Sequence, residues 1–207
     1  MDDALRVKFS LSQTWIAPKE AVVFGVFEGE EIPCGLGFRK ETAEREAAQL
    51  FPIFSKIKKY FALKDFSSQF GKTATLYPED VLFKRVILCG LGKKEELDAE
   101  KVRQTASSAI AIAETMGVTK VSFTLFGAPA QTARDRLRFV FEGAALSLYK
   151  FDPYKTAPDK GNAKSHITEV EFLLPEIIAP DEVVVLEKDV EKHTVIADAV
   201  YFARNIT

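Results

Sequence analysis

Val86-Ile87-Leu88-Cys89 runs directly into Gly90-Leu91-Gly92-Lys93, and this junction limits the folds open to the chain more than any other segment. An unbroken apolar run with β-branched members reads as a buried strand, and the two glycines and lysine after it predict that the strand stops there and feeds a loop. The class of fold then depends on what lies on either side.

Short segments rich in Val and Phe, around Leu5 to Leu11 and Ala21 to Phe27, are bounded by Pro18 and the Glu28-Gly29-Glu30 turn and read as two strands. From Glu41 the apolar residues Ala43, Ala47, Leu50, Phe51, Phe54, Ile57 and Phe61 recur at helical steps. Pro52 interrupts that pattern, so the expectation is a short helix to about Gln49 and a second helix starting near Pro52. Thr73 to Tyr77 and Lys84 to Cys89 read as strands separated by a Pro78-Glu79-Asp80 turn. The next helix has Asp98 as N-cap, Val102, Ala106, Ala109, Ile110 and Ala113 as its apolar stripe, and Gly117 as a left-handed C-terminal cap. Val118 to Phe126 reads as a strand, and Gln131 to Tyr149 as a helix with Leu137, Phe141, Ala144, Ala145 and Leu148 on one side. Pro, Lys, Gly and Asn between Asp152 and Lys164 make a long loop, and a strand near Glu169 to Leu174 is expected to close the sheet. A last helix from about Asp181 carries Val183, Leu186, Val190, Ala197 and Val200 on one face. Strands alternating with helices argue for an α/β layered domain.

With 207 residues the chain is long enough for one large domain, and its 17 Phe supply ample apolar area for a core. A formal net charge of -2 gives none of the overall basic excess that nucleic-acid binding usually needs, although a local patch remains open. Cys34 and Cys89 are too few for a disulfide framework, and a reducing, cytoplasmic setting fits them. Met1-Asp2-Asp3 is acidic where a signal peptide would be basic, and no apolar run approaches the length of a membrane span. The expectation is a cytoplasmic protein without a membrane partner.

Several residue groups invite a chemical reading, and each has a plainer one. Gly90 and Gly92 after a strand suggest a phosphate cradle, but Glu95 stands where a dinucleotide fingerprint needs its third glycine, so turn glycines are the better account. Cys-Gly-Leu-Gly occurs at both Cys34 to Gly37 and Cys89 to Gly92, with no wider repeat around either copy. His166 and His193 have no Cys or His partner at metal-ligand spacing and read as solvated surface residues. Glu28, Glu30 and Glu31, like Glu95, Glu96 and Asp98, sit at expected turns as hydrated charges. Lys56, Lys58 and Lys59 beside Tyr60 and Phe61 resemble a nucleic-acid surface, yet an amphipathic helix with Phe54, Ile57 and Phe61 in the core yields the same spacing. Tyr149, Phe151 and Tyr154, interleaved with Lys150 and Lys155, suggest a packed corner or an interface.

Phe70-Gly71-Lys72, the strand running into Gly90-Leu91-Gly92-Lys93, and Glu142-Gly143 with Leu146, Tyr149, Phe151, Tyr154 and Lys155 together resemble the N-terminal domain of the leucyl aminopeptidase, or cytosol aminopeptidase, family. That resemblance implies a three-layer α/β/α mixed sheet, macro domain-like, over residues 1–180, with 181–207 as a linker helix leading into a C-terminal catalytic domain. It implies a cytoplasmic, homohexameric parent that removes N-terminal residues from peptide substrates with two divalent metal ions, zinc, manganese or magnesium. The family's metal and catalytic motifs, Lys-Gly-Ile-Thr-Phe-Asp-Ser-Gly and Asn-Thr-Asp-Ala-Glu-Gly-Arg-Leu, do not occur here. No catalytic, cofactor-binding or metal-ligating residue is therefore assigned to this chain, and the apolar stripe of the last helix is expected to be exposed.

Three functions compete. The first is a non-catalytic domain that assembles the hexamer and restricts access to its active sites. The second is a nucleic-acid-binding module of a bifunctional aminopeptidase, and the third an ADP-ribose-binding macro domain.

Overall fold

The computed structural model describes residues 7–13, 17–30, 33–34, 55–62, 66–79, 82–149, 167–174 and 178–206. Their strands are β1 (Lys8–Ser12), β2 (Ala21–Phe27), β3 (Thr73–Leu76), β4 (Val86–Gly92), β5 (Lys120–Thr124) and β6 (Glu169–Leu173). The helices are α1, described over 55–62, α2 (Ala99–Thr115), α3 (Ala133–Ser147) and α4 (Pro180–Asn205). The strands form one sheet in the order β1-β6-β5-β2-β4-β3. All neighbours are parallel except β3 and β4. The helices α2 and α3 carry the crossovers from β4 to β5 and from β5 to β6, as parallel pairing requires.

Two apolar clusters lie on opposite faces of this sheet. One packs Val23, Ile87, Val121 and Phe172 against α2, α3 and α4. The other packs Val22, Phe24, Leu88 and Leu173 against Ile57 of α1, with Phe66 and Phe83. A sheet covered on both faces must be apolar on both, and β2 and β4 are buried at every residue. The three-layer α/β/α expectation is thus met.

Local chemistry sets the helix ends. Asp98 accepts from the Lys101 amide at 2.8 Å, and Gly117 takes φ 64° just past α2. Thr132 and Asp135 form a reciprocal capping box at the start of α3, and Pro180 opens α4.

Four expectations are corrected. The strand expected over Lys84 to Cys89 starts at Val86 and does not stop at the glycines, since pairing continues to Gly92. The strand expected over Val118 to Phe126 is shorter, with Phe126 turning back to donate to the Thr124 carbonyl. β6 does not close the sheet. It inserts between β1 and β5 because its Val170, Phe172 and Leu173 are fully buried, while the less buried β1 and β3 take the edges. The stripe of α4 is also not left in solvent: the helix folds back on α3 and β1, burying Val183, Leu186, Val190 and Ala197. Tyr201 donates to the Ala145 carbonyl, and Arg134 grips Asp189 through two hydrogen bonds of 2.6 and 2.8 Å. Val184, Val195, Phe202 and Ile206 occupy the opposite, exposed side. The helix expected from Glu41 to about Gln49 and the loop expected from Asp152 to Lys164 lie outside the described residues.

Candidate functional site

In a sheet of this kind, ligands enter the crevice at the carboxyl ends of strands whose connections diverge, here β2 and β5. Side chains occupy that space. A Cβ on Gly25 would stand 2.8 Å from both Leu91 Cδ1 and Phe126 Cβ, and one on Gly127 would stand 2.5 Å from Arg136 Cγ and Gln131 Oε1. The Cys34 amide donates to the Gly25 carbonyl at 2.8 Å, tying the segment after β2 across the same opening. Around Gly25 and Gly127 the side chains lie too close to the backbone for a phosphate to reach it.

The glycines of β4 serve a second close approach. Residues 68–72 cross the end of β4, where a Cβ on Gly90 would lie 2.2 Å from the Gln69 carbonyl oxygen and one on Gly92 would lie 3.1 Å from Phe70 Cβ. The Lys72 amide donates to Gln69 O at 3.1 Å, and Gly71 has φ 79°, the geometry of a type II turn with glycine in its third place. Gly71 N donates to Gly90 O at 3.3 Å, while Gly90 N donates to Lys72 O at 2.7 Å, so Gly71 and Lys72 together oppose Gly90 as a glycine bulge. Phe70-Gly71-Lys72 and Gly90-Leu91-Gly92 are therefore two halves of one contact. A phosphate cradle is ruled out at Gly90 because protein backbone fills the place.

Glu142-Gly143 has an equivalent explanation. A Cβ on Gly143 would sit 2.2 Å from the Arg103 carbonyl oxygen, so glycine permits the close crossing of α2 and α3. Glu142 accepts from Arg103 Nε at 2.6 Å and from Arg138 Nε at 2.7 Å. Burial pushes its carboxyl up, but the two guanidinium hydrogen bonds outweigh this and hold it below the usual range.

The remaining sequence candidates do not converge. Burial alone pushes the Cys89 thiol up to about 12, and burial also dominates at Cys34, pushed up to about 12, so neither is a ready nucleophile. His193 is half-buried against Phe141, with ring centroids 5.7 Å apart, and not a fully solvated residue as expected. Burial lowers its pKa against the opposing pull of Glu142 and Asp189. Glu30 pairs with Lys94, Glu96 with Lys93 at 3.2 Å, and Asp98 is spent on its cap. Lys56, Lys58 and Lys59 are exposed while Ile57 is buried, as the amphipathic reading requires. Tyr149 is a packed corner: its ring lies 5.0 Å from that of Tyr201, its hydroxyl donates to Asn205 Oδ1 at 2.8 Å, and Arg204 stacks over it. Glu31, Phe54, Phe151, Tyr154 and His166 lie outside the described residues. Among the described residues no three His, Cys, Asp or Glu side chains are grouped as metal ligands, and no helix is long and apolar enough to cross a membrane.

Sequence reasoning missed one buried polar group. Lys19 donates to Glu171 at 2.8 Å, both nearly inaccessible, and Ser122 donates to the same carboxylate at 2.7 Å. The alternation in Glu169-Val170-Glu171-Phe172 was the available signal, since it places both carboxylates on one face of β6.

The chain matches the model of the cytosol aminopeptidase family, N-terminal domain, over residues 23–158. A probable cytosol aminopeptidase of Geotalea uraniireducens is 36% identical over 126 residues, 59% of this chain and 23% of that protein. One of Alkaliphilus oremlandii is 26% identical over 189 residues, 90% of this chain and 35% of that protein. The chain thus spans between about a quarter and a third of the curated relatives it matches. Among solved structures, a tomato leucine aminopeptidase mutant superposes with TM-score 0.64 at 15% identity, covering 92% of this chain and 36% of that one. An Oceanobacillus iheyensis macrodomain mutant gives TM-score 0.58 at 9% identity, covering 92% and 93%. Both likenesses establish the fold alone.

Proposed function

This chain belongs to the cytosol aminopeptidase family, in the position of its N-terminal domain, and on that premise we propose that it is the non-catalytic part of a leucyl aminopeptidase. The family is one of peptidases. The parent protein would be a cytoplasmic hexamer that releases N-terminal amino acids from peptides, and this domain would serve its assembly and limit access to its active sites. Two divalent ions, zinc, manganese or magnesium, would polarise the scissile carbonyl and activate water in the catalytic domain. The described residues group no ligands for such a centre, which supports placing it in the catalytic domain.

The observation that carries the reading is the family match over residues 23–158, on a fold whose strand-end crevice is filled by its own side chains. The same filling argues against the macrodomain alternative, although the shared fold raises it, because ADP-ribose would have to displace Phe126 and Arg136. For nucleic acid, the support is limited to the exposed Lys56, Lys58 and Lys59 on a chain of net charge -2.

The test is hydrolysis of leucine p-nitroanilide with added manganese, run on this 207-residue chain and on the product of a longer reading frame that contains it. Turnover by the longer product alone is expected. Turnover by the shorter chain would overturn the division of labour, and inactivity of both would remove the peptidase assignment.

A further inference from the structure

Helix α4 shows a different surface on each half of its outward side. Between Asp181 and Lys192 the exposed residues are mainly charged, with Glu187, Lys188 and Glu191 beside Val184 and Val185. From Val195 onward they are Val195, Ile196, Ala199, Phe202, Ala203 and Ile206, and the one charge among them, Arg204, lies over the Tyr149 ring. Val195, Ala199, Phe202 and Ile206 follow at alternating steps of four and three, so they share one stripe about 17 Å long. Val195, Phe202 and Ile206 are 68%, 67% and 70% exposed. The inward side is already committed, with Val190, Ala197 and Tyr201 buried against the rest of the domain. A helix apolar all round is one that is covered all round.

The geometry points to the catalytic domain of the parent protein as the occupant of this stripe, which makes α4 a splint packed into both domains and not a free tether. The inference rests on the reading above that such a domain follows this one. Position along the helix selects the occupant. The stripe starts midway and runs to the last described turn, so its cover approaches from the C-terminal end of α4, where a domain following an N-terminal one is attached. The two relatives named above, of which the chain spans 23% and 35%, are long enough to carry it. A second copy of this chain fits the helix less well. An α4 laid antiparallel about Val195 would bring Phe202 over Lys188, and a parallel one would set Lys188 on Lys188 and Glu191 on Glu191. The charged half therefore stays in water while the apolar half is covered.

Maleimide labelling of introduced cysteines tests it, on the 207-residue chain and on the product of the longer reading frame. Cys34 and Cys89 compete little, because burial pushes both thiols up to about 12. Val195→Cys and Phe202→Cys probe the stripe, and Glu187→Cys probes the charged half. In the 207-residue chain all three should label readily. In the longer product the first two should label roughly tenfold more slowly or less, with Glu187→Cys unchanged. Equal rates for Val195→Cys in both proteins overturn the inference, and so does equal slowing at Glu187→Cys, since the cover would then not follow the stripe. Protection that disappears on dilution, in either protein, gives the stripe to a second copy and overturns it as well. Leucine p-nitroanilide turnover by the unsubstituted longer product keeps the two readings apart. Turnover with an unprotected stripe sinks the docking alone, and protection without turnover sinks the peptidase reading alone.

Discussion

Gly90 shows how much one missing side chain decides. A methyl group there would press 2.2 Å from a backbone oxygen, Gln69 O, which has no rotamer to escape into. Gly90→Ala is therefore expected to destabilise the protein by about 2–3 kcal/mol, read as a lower urea midpoint, and an unchanged midpoint would mean that residues 68–70 do not lie against β4. The sequence marks this glycine but suggests the wrong reason, because a glycine pair after a strand looks the same whether it turns the chain or admits a neighbour. Lys19 is a second case. Its ammonium is buried on Glu171, so Lys19→Met leaves that buried carboxylate with only the Ser122 hydroxyl and the more distant Lys120, 3.8 Å away, and should cost at most about 3–5 kcal/mol, while adding Glu171→Leu should recover most of that loss. Equal denaturation midpoints for the single and double variants would refute the pairing. The alternation in β6 marks the Glu171 side of the pair, but nothing in the local sequence reveals its partner, since Lys19 follows Pro18 in a connecting segment far from it along the chain.

Among the elements, α2 and α3 are the most legible, because their caps and stripes are local properties: Asp98, Gly117 and the Val102-to-Ala113 stripe all hold the places expected of them. For α4 the face was readable and its fate was not. Val183, Leu186, Val190 and Tyr201 are each nearly fully buried against α3 and β1, and each such side chain contributes about 1.5–3 kcal/mol. Their sum approaches the whole net stability of a typical domain, about 5–15 kcal/mol. A chain ending at Ala179 should thus lose cooperative thermal unfolding and bind a hydrophobic dye, whereas a sharp transition in calorimetry would show α4 to be a dispensable linker. The opposite side of α4, with Phe202 67% and Ile206 70% exposed, remains available to other surfaces. A helix apolar on both sides does not state in its sequence which side the rest of its own chain will cover.

For the molecule as a whole, acid sensitivity follows from three groups held on the same side of their ordinary values. His193 is lowered from 6.5 by burial, so the unfolded chain binds the extra proton first and stability falls as pH drops below about 6.5, levelling below the folded value. At Glu171 burial raises the carboxyl, but hydrogen bonds from Lys19 and Ser122 carry it below 4.5. At Asp189 the Arg134 hydrogen bond comes first, against burial, and carries it below 3.8. Both carboxylates contribute stability that is present above those ordinary values and lost as pH falls through the folded ones. Urea midpoints between pH 7 and 3 should therefore decline in two stages, and His193→Leu should remove the upper one. A flat profile from pH 7 to 5 in the unsubstituted chain would contradict the buried environment of His193.

The α/β class, most strand and helix positions and the family are legible in the chain alone, because apolar period, caps and short motifs act over a few residues and survive without knowledge of distant contacts. Long-range packing is what places β6 in the middle of the sheet, buries the α4 stripe expected in solvent, leaves β3 at the end of the sheet among the described residues, and uses glycines that look like a phosphate loop to admit residues 68–72 against β4. Each of those outcomes depends on which remote segment arrives to fill or cover a place. Pairing and packing between residues distant in sequence leave no periodic trace in either partner.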